Sequence, residues 1–168
     1  NIWVASDGSS DRTNSIVKEY AAKNKNVHLL EYKRTGKSGV INKTINILKS
    51  EFIVFSDANT EYSKGAVKKL ICHFEDPKVG CVCGKLIYRN PGETISGVGE
   101  SFYWKYETKL KIMESKIGYV AGANGAIYAI KRNLFEPFHP RTINDDFTAS
   151  MKIVKKGFKS IYEVNAFP

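Results

Sequence analysis

Cysteine is scarce in this chain and odd in number: Cys72, Cys81 and Cys83 are the only three in 168 residues. They lack metal-ligand spacing and sit among apolar residues. That argues against a disulfide framework and reads as reduced core thiols in a cytosolic setting. Long apolar runs are missing too. No stretch approaches the ~18 residues of a membrane span, and Asn1-Ile2-Trp3-Val4, running directly into a turn, does not read as a signal peptide. Internal repeats and low-complexity linkers are absent. The charge is not patterned either. The formal net charge is +9, yet Lys18, Lys23, Lys25, Lys64, Lys68 and Lys69 are dispersed on or beside predicted helices, as on solvated faces. Without a basic stripe interleaved with exposed aromatics, nucleic acid is not an expected partner. A basic surface suits an anionic membrane or a diphosphate equally well.

What is present is ordinary for a globular chain, with 42% hydrophobic and 26% charged residues. The length fits one domain that buries roughly 70% of its unfolded surface. Strand and helix patterns alternate, which predicts an α/β fold: a mostly parallel sheet with helices on both faces. Strands are expected at Ile2-Trp3-Val4, Val27 to Tyr32, Phe52 to Ser56, Ala126 to Ile130 and Ile161 to Val164. Val79, Cys81 and Cys83 alternate with Gly80 and Val82 ahead of Leu86-Ile87-Tyr88, a further strand or strand pair. Helical stripes are predicted at Ile16, Val17, Tyr20 and Ala21; at Val40, Ile41, Thr44, Ile45 and Leu48; and at Ala66, Val67, Leu70, Ile71 and Phe74. After a loop at Asn90-Pro91-Gly92 comes a long aromatic helix, roughly Val98 to Ser115. A last helix from Asp146 turns Phe147, Ser150, Met151 and Val154 inward and stops at Gly157. Both ends read as cut, so a piece of a longer chain is expected.

Five segments carry chemistry. Asp57-Ala58-Asn59 falls where the run Phe52 to Ser56 gives out, at the mouth of a strand, where open α/β sheets bind ligands. Two oxygen-bearing side chains there suit a hard divalent cation with a nucleotide diphosphate, although Asp and Asn also favour plain turns. Asp7-Gly8-Ser9-Ser10-Asp11-Arg12-Thr13 joins a strand to a helix start. Asp7 can bond a base or ribose while backbone N–H groups face the ligand; helix capping accounts for Asp11 alone. Arg34-Thr35-Gly36-Lys37-Ser38-Gly39 leads into a helix N-terminus, a phosphate-binding combination or a glycine turn with a surface lysine. It is not a Walker A loop, because Glu31 stands where the first glycine would be. The small residues Gly122, Ala123, Asn124 and Gly125 admit either a bulky ligand or tight packing. Asp145 and Asp146 open the last helix, as working carboxylates or as N-cap and first-turn acids.

Taken in order, these segments resemble the family 2 glycosyltransferases of the GT-A fold, the group that includes hyaluronan, chitin and cellulose synthases. The resemblance covers nearly the whole chain. Asp7 to Thr13 is similar to the family's Asp-Asp-Gly-Ser-x-Asp-x-Thr nucleoside segment. Gly36-Lys37 with Ile41-Asn42 resembles Gly-Lys-x-x-x-Leu-Asn, and Ser56 to Thr60 the metal-binding Asp-x-Asp. Asp145-Asp146 with Gly157 downstream resembles the Glu-Asp catalytic motif. Ser6 stands where the pattern has an Asp, and Asn59 replaces the second Asp of Asp-x-Asp. The family's first strand and helix, and its Arg-rich segment and membrane helices, have no counterpart in these residues.

The resemblance implies a Rossmann-like nucleotide-diphospho-sugar transferase sheet, with residues 1–90 as the nucleotide-sugar half and 91–168 as the acceptor and catalytic-base half. It implies an inverting transfer from a nucleotide-diphosphate donor, a UDP-sugar first among them, to a saccharide or lipid-linked acceptor. Asp146 would be the general base with Asp145 beside it, and Mn²⁺ or Mg²⁺ would sit at Asp57 and Asn59. Asp7, Gly8, Arg34, Gly36, Lys37 and Asp57 would bind the donor, Gly122 to Gly125 would shape the acceptor pocket, and Trp104 could stack on a sugar ring. It further implies work at the cytoplasmic face of a membrane, held there by segments outside this chain. Two readings compete: a nucleotide-sugar-binding domain that does not turn over, and a sugar-phosphate nucleotidyltransferase. The second would want a glycine-rich, arginine-containing loop near its N-terminus, which these residues do not show.

Overall fold

The computed structural model describes residues 1–87 and 95–167; within the helix that begins at 95, side chains are described from 104 onward. The expected loop at Asn90-Pro91-Gly92 lies outside the described residues. The chain forms two compact units, one of residues 1–49 with 137–143, the other of residues 50–136 with 144–168.

In the first unit, β1 (Ile2–Asp7) and β2 (Val27–Tyr32) pair in parallel, in register from Ile2 opposite Val27 to Asp7 opposite Tyr32. Parallel neighbours need a crossover, and α1 (Thr13–Lys23) supplies it. The predicted apolar face of α1 is not a core face. The helix buries no residue, and Ile16 and Tyr20 are exposed. A short amphipathic pattern specifies a helix without specifying a neighbour to cover it. The next helix, α2 (Lys37–Ile47), does bury its stripe, through Ser38, Val40, Thr44 and Ile45. Asn42 brackets the returning segment: its side chain donates to the Phe138 carbonyl at 2.9 Å and accepts from the Phe138 N–H at 2.8 Å.

The second unit is built on a four-stranded sheet ordered β3-β5-β4-β6, with β3 (Phe52–Phe55), β4 (Val79–Gly84), β5 (Tyr128–Lys131) and β6 (Lys159–Glu163). β4 and β6 are parallel as expected, whereas β5 runs antiparallel to both neighbours, so the sheet is mixed. All six residues of β4 are buried. The alternation read at Val79, Cys81 and Cys83 is therefore a strand covered on both faces. Its glycines are required by close approach: a Cβ on Gly80 would lie 2.5 Å from Ile153 Cγ2, and one on Gly84 would lie 2.6 Å from the Ala166 carbonyl oxygen.

Three helices belong to this unit: α3 (Ala66–Cys72), α4 (Ile95–Ile117) and α5 (Asp145–Lys155). Ala66, Leu70 and Phe74 join the core as predicted, but Val67 is exposed. The inward face of α5 differs from the one drawn from its sequence. Ala149, Ser150 and Ile153 are buried with Asp145, while Phe147 is exposed. Small side chains face the strands where the helix approaches closely, and periodicity by size alone misplaces the stripe. The thiols divide as well, since Cys81 and Cys83 are buried but Cys72 is exposed on the short α3, which corrects its reading as a core residue.

Candidate functional site

In the first unit, Asp7 ends β1 and Gly8 follows with φ 66°, in the left-handed region that favours glycine. A Cβ on Gly8 would also press to 3.1 Å from the backbone nitrogen of Arg34. The turn is therefore seated against the loop after β2. Both oxygens of Asp7 are engaged there: the N–H of Thr35 donates to one at 2.6 Å and the N–H of Gly36 to the other at 2.9 Å. Gly36 stands at the N-cap of α2 with φ 81°, and Lys37 is the first helical residue. The carboxylate thus fixes a loop whose helix N-terminus carries partial positive charge. Ser6, which stands in place of an acid, is buried and hydrogen-bonds Ser9 within the turn.

In the second unit, strand direction assembles the site. Since β5 is antiparallel to β3, the residues that precede β5 lie beside those that follow β3. Asp57 comes two residues after β3, and Gly125 three residues before β5. A Cβ on Gly125 would meet Asp146 Oδ2 at 3.2 Å and Asp57 Oδ2 at 3.4 Å. Two carboxylates from opposite ends of this unit's sequence therefore converge on one glycine. Asp146 lies in the first turn of α5 beside the buried Asp145, where the helix dipole favours negative charge. The N–H of Phe147 donates to Asp146 Oδ1 at 2.7 Å, which leaves Oδ2 as the oxygen nearest Gly125. Asn59 lies exposed in the turn after Asp57, and the Thr60 N–H donates to the Asp57 carbonyl.

The segment from 120 to 126 is pinned on every side. From α4, Lys111 donates to the Gly122 carbonyl at 2.8 Å, and Glu114 accepts from the Ala121 N–H at 3.1 Å. Ser150 of α5 accepts from the Ala123 N–H, and the Cys83 sulfur from the Asn124 N–H. The Asn124 side chain turns inward to accept from the Ala126 N–H. Gly122 has φ 84°, and a Cβ there would lie 2.8 Å from the Phe147 ring. Tyr62 ties the two strand ends, its hydroxyl 3.3 Å from the carbonyls of both Phe55 and Ala126. Lys111, Glu114, Ser150 and Tyr62 were not legible as site residues, because each acts on a backbone group in a different element.

Tyr128 is the residue that sequence reasoning missed at the centre. It stacks on Phe55 at 4.4 Å and is 1% exposed, and its hydroxyl has no hydrogen-bond partner. Burial drives its pKa well above the ordinary value, and the charges of Asp145, Asp146 and Asp57 push the same way. A buried hydroxyl without a partner calls for an explanation, and an unfilled ligand position is one. Its place in an apolar strand pattern gave no sign of this.

These side chains also fit a hard cation. Carboxylate, amide and phenol are oxygen donors of the kind Mg²⁺ and Mn²⁺ take. Among the described residues no group of three or more His, Cys, Asp or Glu side chains is placed to hold an ion by itself. Such a cation would complete its shell with ligand oxygens, as Mg²⁺ does with phosphates.

The fold is that of the GT-A glycosyltransferases. A mannosyltransferase from Pyrobaculum calidifontis, solved with GDP-Man and Mn²⁺, superposes with a TM-score of 0.80 at 23% identity, over 99% of this chain and 46% of that one. The chain belongs to glycosyl transferase family 2, whose profile matches residues 1–138. Among curated relatives it is 24% identical over 166 residues to a poly-beta-1,6-N-acetyl-D-glucosamine synthase of Staphylococcus aureus, covering 96% of this chain and 40% of the relative. It is 22% identical over 158 residues to a beta-monoglucosyldiacylglycerol synthase of Trichormus variabilis, covering 90% of this chain and 34% of the relative. The chain thus spans well under half the length of either relative.

Proposed function

We propose that this chain carries the catalytic machinery of an inverting glycosyltransferase that moves a sugar from a nucleotide diphosphate to a hydroxyl acceptor. The observation that carries this reading is the convergence of the Asp57 and Asp146 carboxylates on Gly125. The donor is a UDP-sugar in the first instance, although the mannosyltransferase of the same fold was solved with GDP-Man. The acceptor is a saccharide or a lipid-linked acceptor, in keeping with the names of the two curated relatives.

Asp146 is the general base. A sugar hydroxyl is far too weak an acid to ionise beforehand, so Asp146 takes its proton while the oxygen attacks the anomeric carbon from the face opposite the diphosphate. The new C–O bond forms as the bond to the diphosphate oxygen breaks, and the electron pair leaves with the diphosphate. Asp145, buried at the same helix start, stands beside Asp146 as the second acid of the pair. Asp57, with Asn59, would hold Mn²⁺ or Mg²⁺, whose chemistry is to offset charge on the departing diphosphate. Asp7 and Gly8 take the nucleoside side of the donor, and Arg34, Gly36 and Lys37 its phosphates. Asp7 acts by aiming the N–H-rich loop as well as by direct contact, since both its oxygens already accept from that loop. Gly122, Ala123, Asn124 and Gly125 shape the acceptor side. The reaction belongs to polysaccharide or glycolipid assembly at the cytoplasmic face of a membrane.

The test is the melting temperature of the chain with UDP, GDP, CDP and ADP, each with and without Mn²⁺. A rise with one diphosphate that requires the metal supports the reading and names the donor class. If a diphosphate binds but no transfer to any saccharide or lipid-linked acceptor follows, the non-catalytic binding domain stands instead.

A further inference from the structure

The outward face of α4 has an organisation that the transfer chemistry does not use. Tyr106, Leu110, Met113 and Ile117 are 62%, 42%, 65% and 71% exposed. Their spacing of four, three and four residues puts them within an arc of about 60° on a helix, along about 17 Å of its length. Tyr119, 51% exposed, follows just past the helix end. The opposite face is committed inward: Lys111 reaches the Gly122 carbonyl and Ser115 accepts from the Tyr162 N–H of β6.

Charge is sorted around this apolar stripe. Lys105, Lys109 and Lys116 are exposed and fall together on one flank, about 70–110° from its centre line. Glu107 and Glu114 lie on the other flank, and both are occupied, Glu107 beside Lys111 at 3.8 Å and Glu114 on the Ala121 N–H. Among the described residues, that flank therefore presents three positive charges and no acid. Long lysine stems can lie along apolar material while their ammonium groups reach anionic headgroups. In an antiparallel pairing a second copy of the chain would bring the same three lysines to this seam, where like charges repel. We propose that the exposed face of α4 is a docking surface for an anionic lipid bilayer, lying in the plane of the interface. The inference stands on the surface of α4 alone, so its failure leaves the transferase reading untouched.

The experiment is flotation of the 168-residue chain with phosphatidylglycerol/phosphatidylcholine vesicles and with phosphatidylcholine vesicles. Two triple variants accompany it, Leu110→Ser/Met113→Ser/Ile117→Ser and Lys105→Gln/Lys109→Gln/Lys116→Gln, with circular dichroism to verify the fold. A charge control, Lys23→Gln/Lys25→Gln/Lys49→Gln, removes three exposed lysines of the other unit. The expected result is flotation with anionic vesicles, lost in the apolar variant, reduced about a hundredfold in the α4 lysine variant at roughly fivefold per lysine, and kept in the control. If the apolar variant floats as well as the parent chain, overall basic charge drives adhesion and the proposal fails. It also fails if nothing floats, and a concentration-dependent dimer abolished by the apolar variant would assign the face to a second copy instead.

Discussion

Replacing Gly125 by alanine adds one methyl where the two carboxylates meet, and the outcome separates a working site from a coincidental one. Gly125 is not among the residues with positive φ, so the backbone accepts a side chain. The new Cβ would stand 3.2 Å from Asp146 Oδ2 and 3.4 Å from Asp57 Oδ2. The first distance is tighter than ordinary contact, and Asp146 must yield by a few tenths of an ångström. Rotating its carboxylate off its rotamer costs on the order of 0.5–1.5 kcal/mol. Loss of glycine's freedom in the unfolded chain returns about 0.4–1 kcal/mol. The two nearly cancel, and at roughly 2–4 °C per kcal/mol the melting temperature should move by only a few degrees.

Function should respond much more. A misplacement of about 1 Å can cost about a hundredfold in rate, and here a smaller shift is joined by a methyl filling the space itself. Transfer should fall by about tenfold to a hundredfold, and the metal-dependent rise in melting temperature with nucleotide diphosphate should shrink. The assay pairs sugar transfer with thermal melting of the same preparation. Unchanged transfer in a folded Gly125→Ala protein would refute the reasoning, because Asp57 and Asp146 would then not work at their meeting point.

Other perturbations test separate parts of the argument. Asp146→Asn should cut turnover by about 10²–10⁴-fold, the usual worth of a general base, while the diphosphate-induced melting shift persists. Asp7→Ala should destabilise the chain by about 1.5–3 kcal/mol, the value of hydrogen bonds to a charged acceptor, reduced by its partial exposure, and should weaken the nucleotide response with it. Thiol titration of the native chain should find one fast group, Cys72. Burial pushes Cys81 and Cys83 up to about 12 and about 11, so they stay protonated and silent until unfolding. Because those folded values lie above the ordinary 9.0, their contribution to stability is complete below pH 9 and lost as pH rises above it; melting should drop between pH 9 and 11. At Glu163, burial pulls the pKa up, but the His73 ring at 2.6 Å and the Asn165 N–H outweigh it and leave it below the ordinary 4.5. Its stabilisation is present above pH 4.5 and fades as pH falls below, so the parent chain and Glu163→Gln should converge in melting temperature under acid conditions.

Much of this architecture was legible in the residues. Strands and helices alternate visibly, and Asp7, Gly36, Lys37, Asp57, Asp145 and Asp146 stand out because they fall at element ends in the order of one family's motifs. Legibility ended where the answer depends on what covers a surface. The apolar positions of α1 and α4 have helical spacing whether or not a neighbour packs on them, and Ile16, Tyr20, Leu110 and Met113 are exposed. It ended again at β4, where Val79, Cys81 and Cys83 alternate with Gly80 and Val82 in the residues, yet every position is buried and Gly80 marks a place where Ile153 comes too close for any side chain.

The deeper reason is that strand direction, not motif order, decides which motifs meet. Nothing in the residues from 126 to 131 specifies that β5 should enter between β3 and β4 in the antiparallel sense. Had it run parallel to β3, the Gly125 end would lie at the far edge of the sheet from Asp57. The antiparallel register that sets Phe55 opposite Tyr128 does three things together. It stacks the two rings, it places Gly125 beyond Tyr128 within reach of Asp57, and it buries a phenol hydroxyl close to the carboxylates. A slip of one residue would turn Tyr128 to the other face of the sheet and lose all three. An unpaired buried hydroxyl costs about 1–3 kcal/mol, yet the strand keeps tyrosine where phenylalanine would pack as well against Phe55. If Tyr128→Phe stabilises the empty chain but weakens diphosphate or metal binding, that cost is borne for the ligand. If it changes neither, the hydroxyl has no part in the site and the register is kept for the aromatic stack alone.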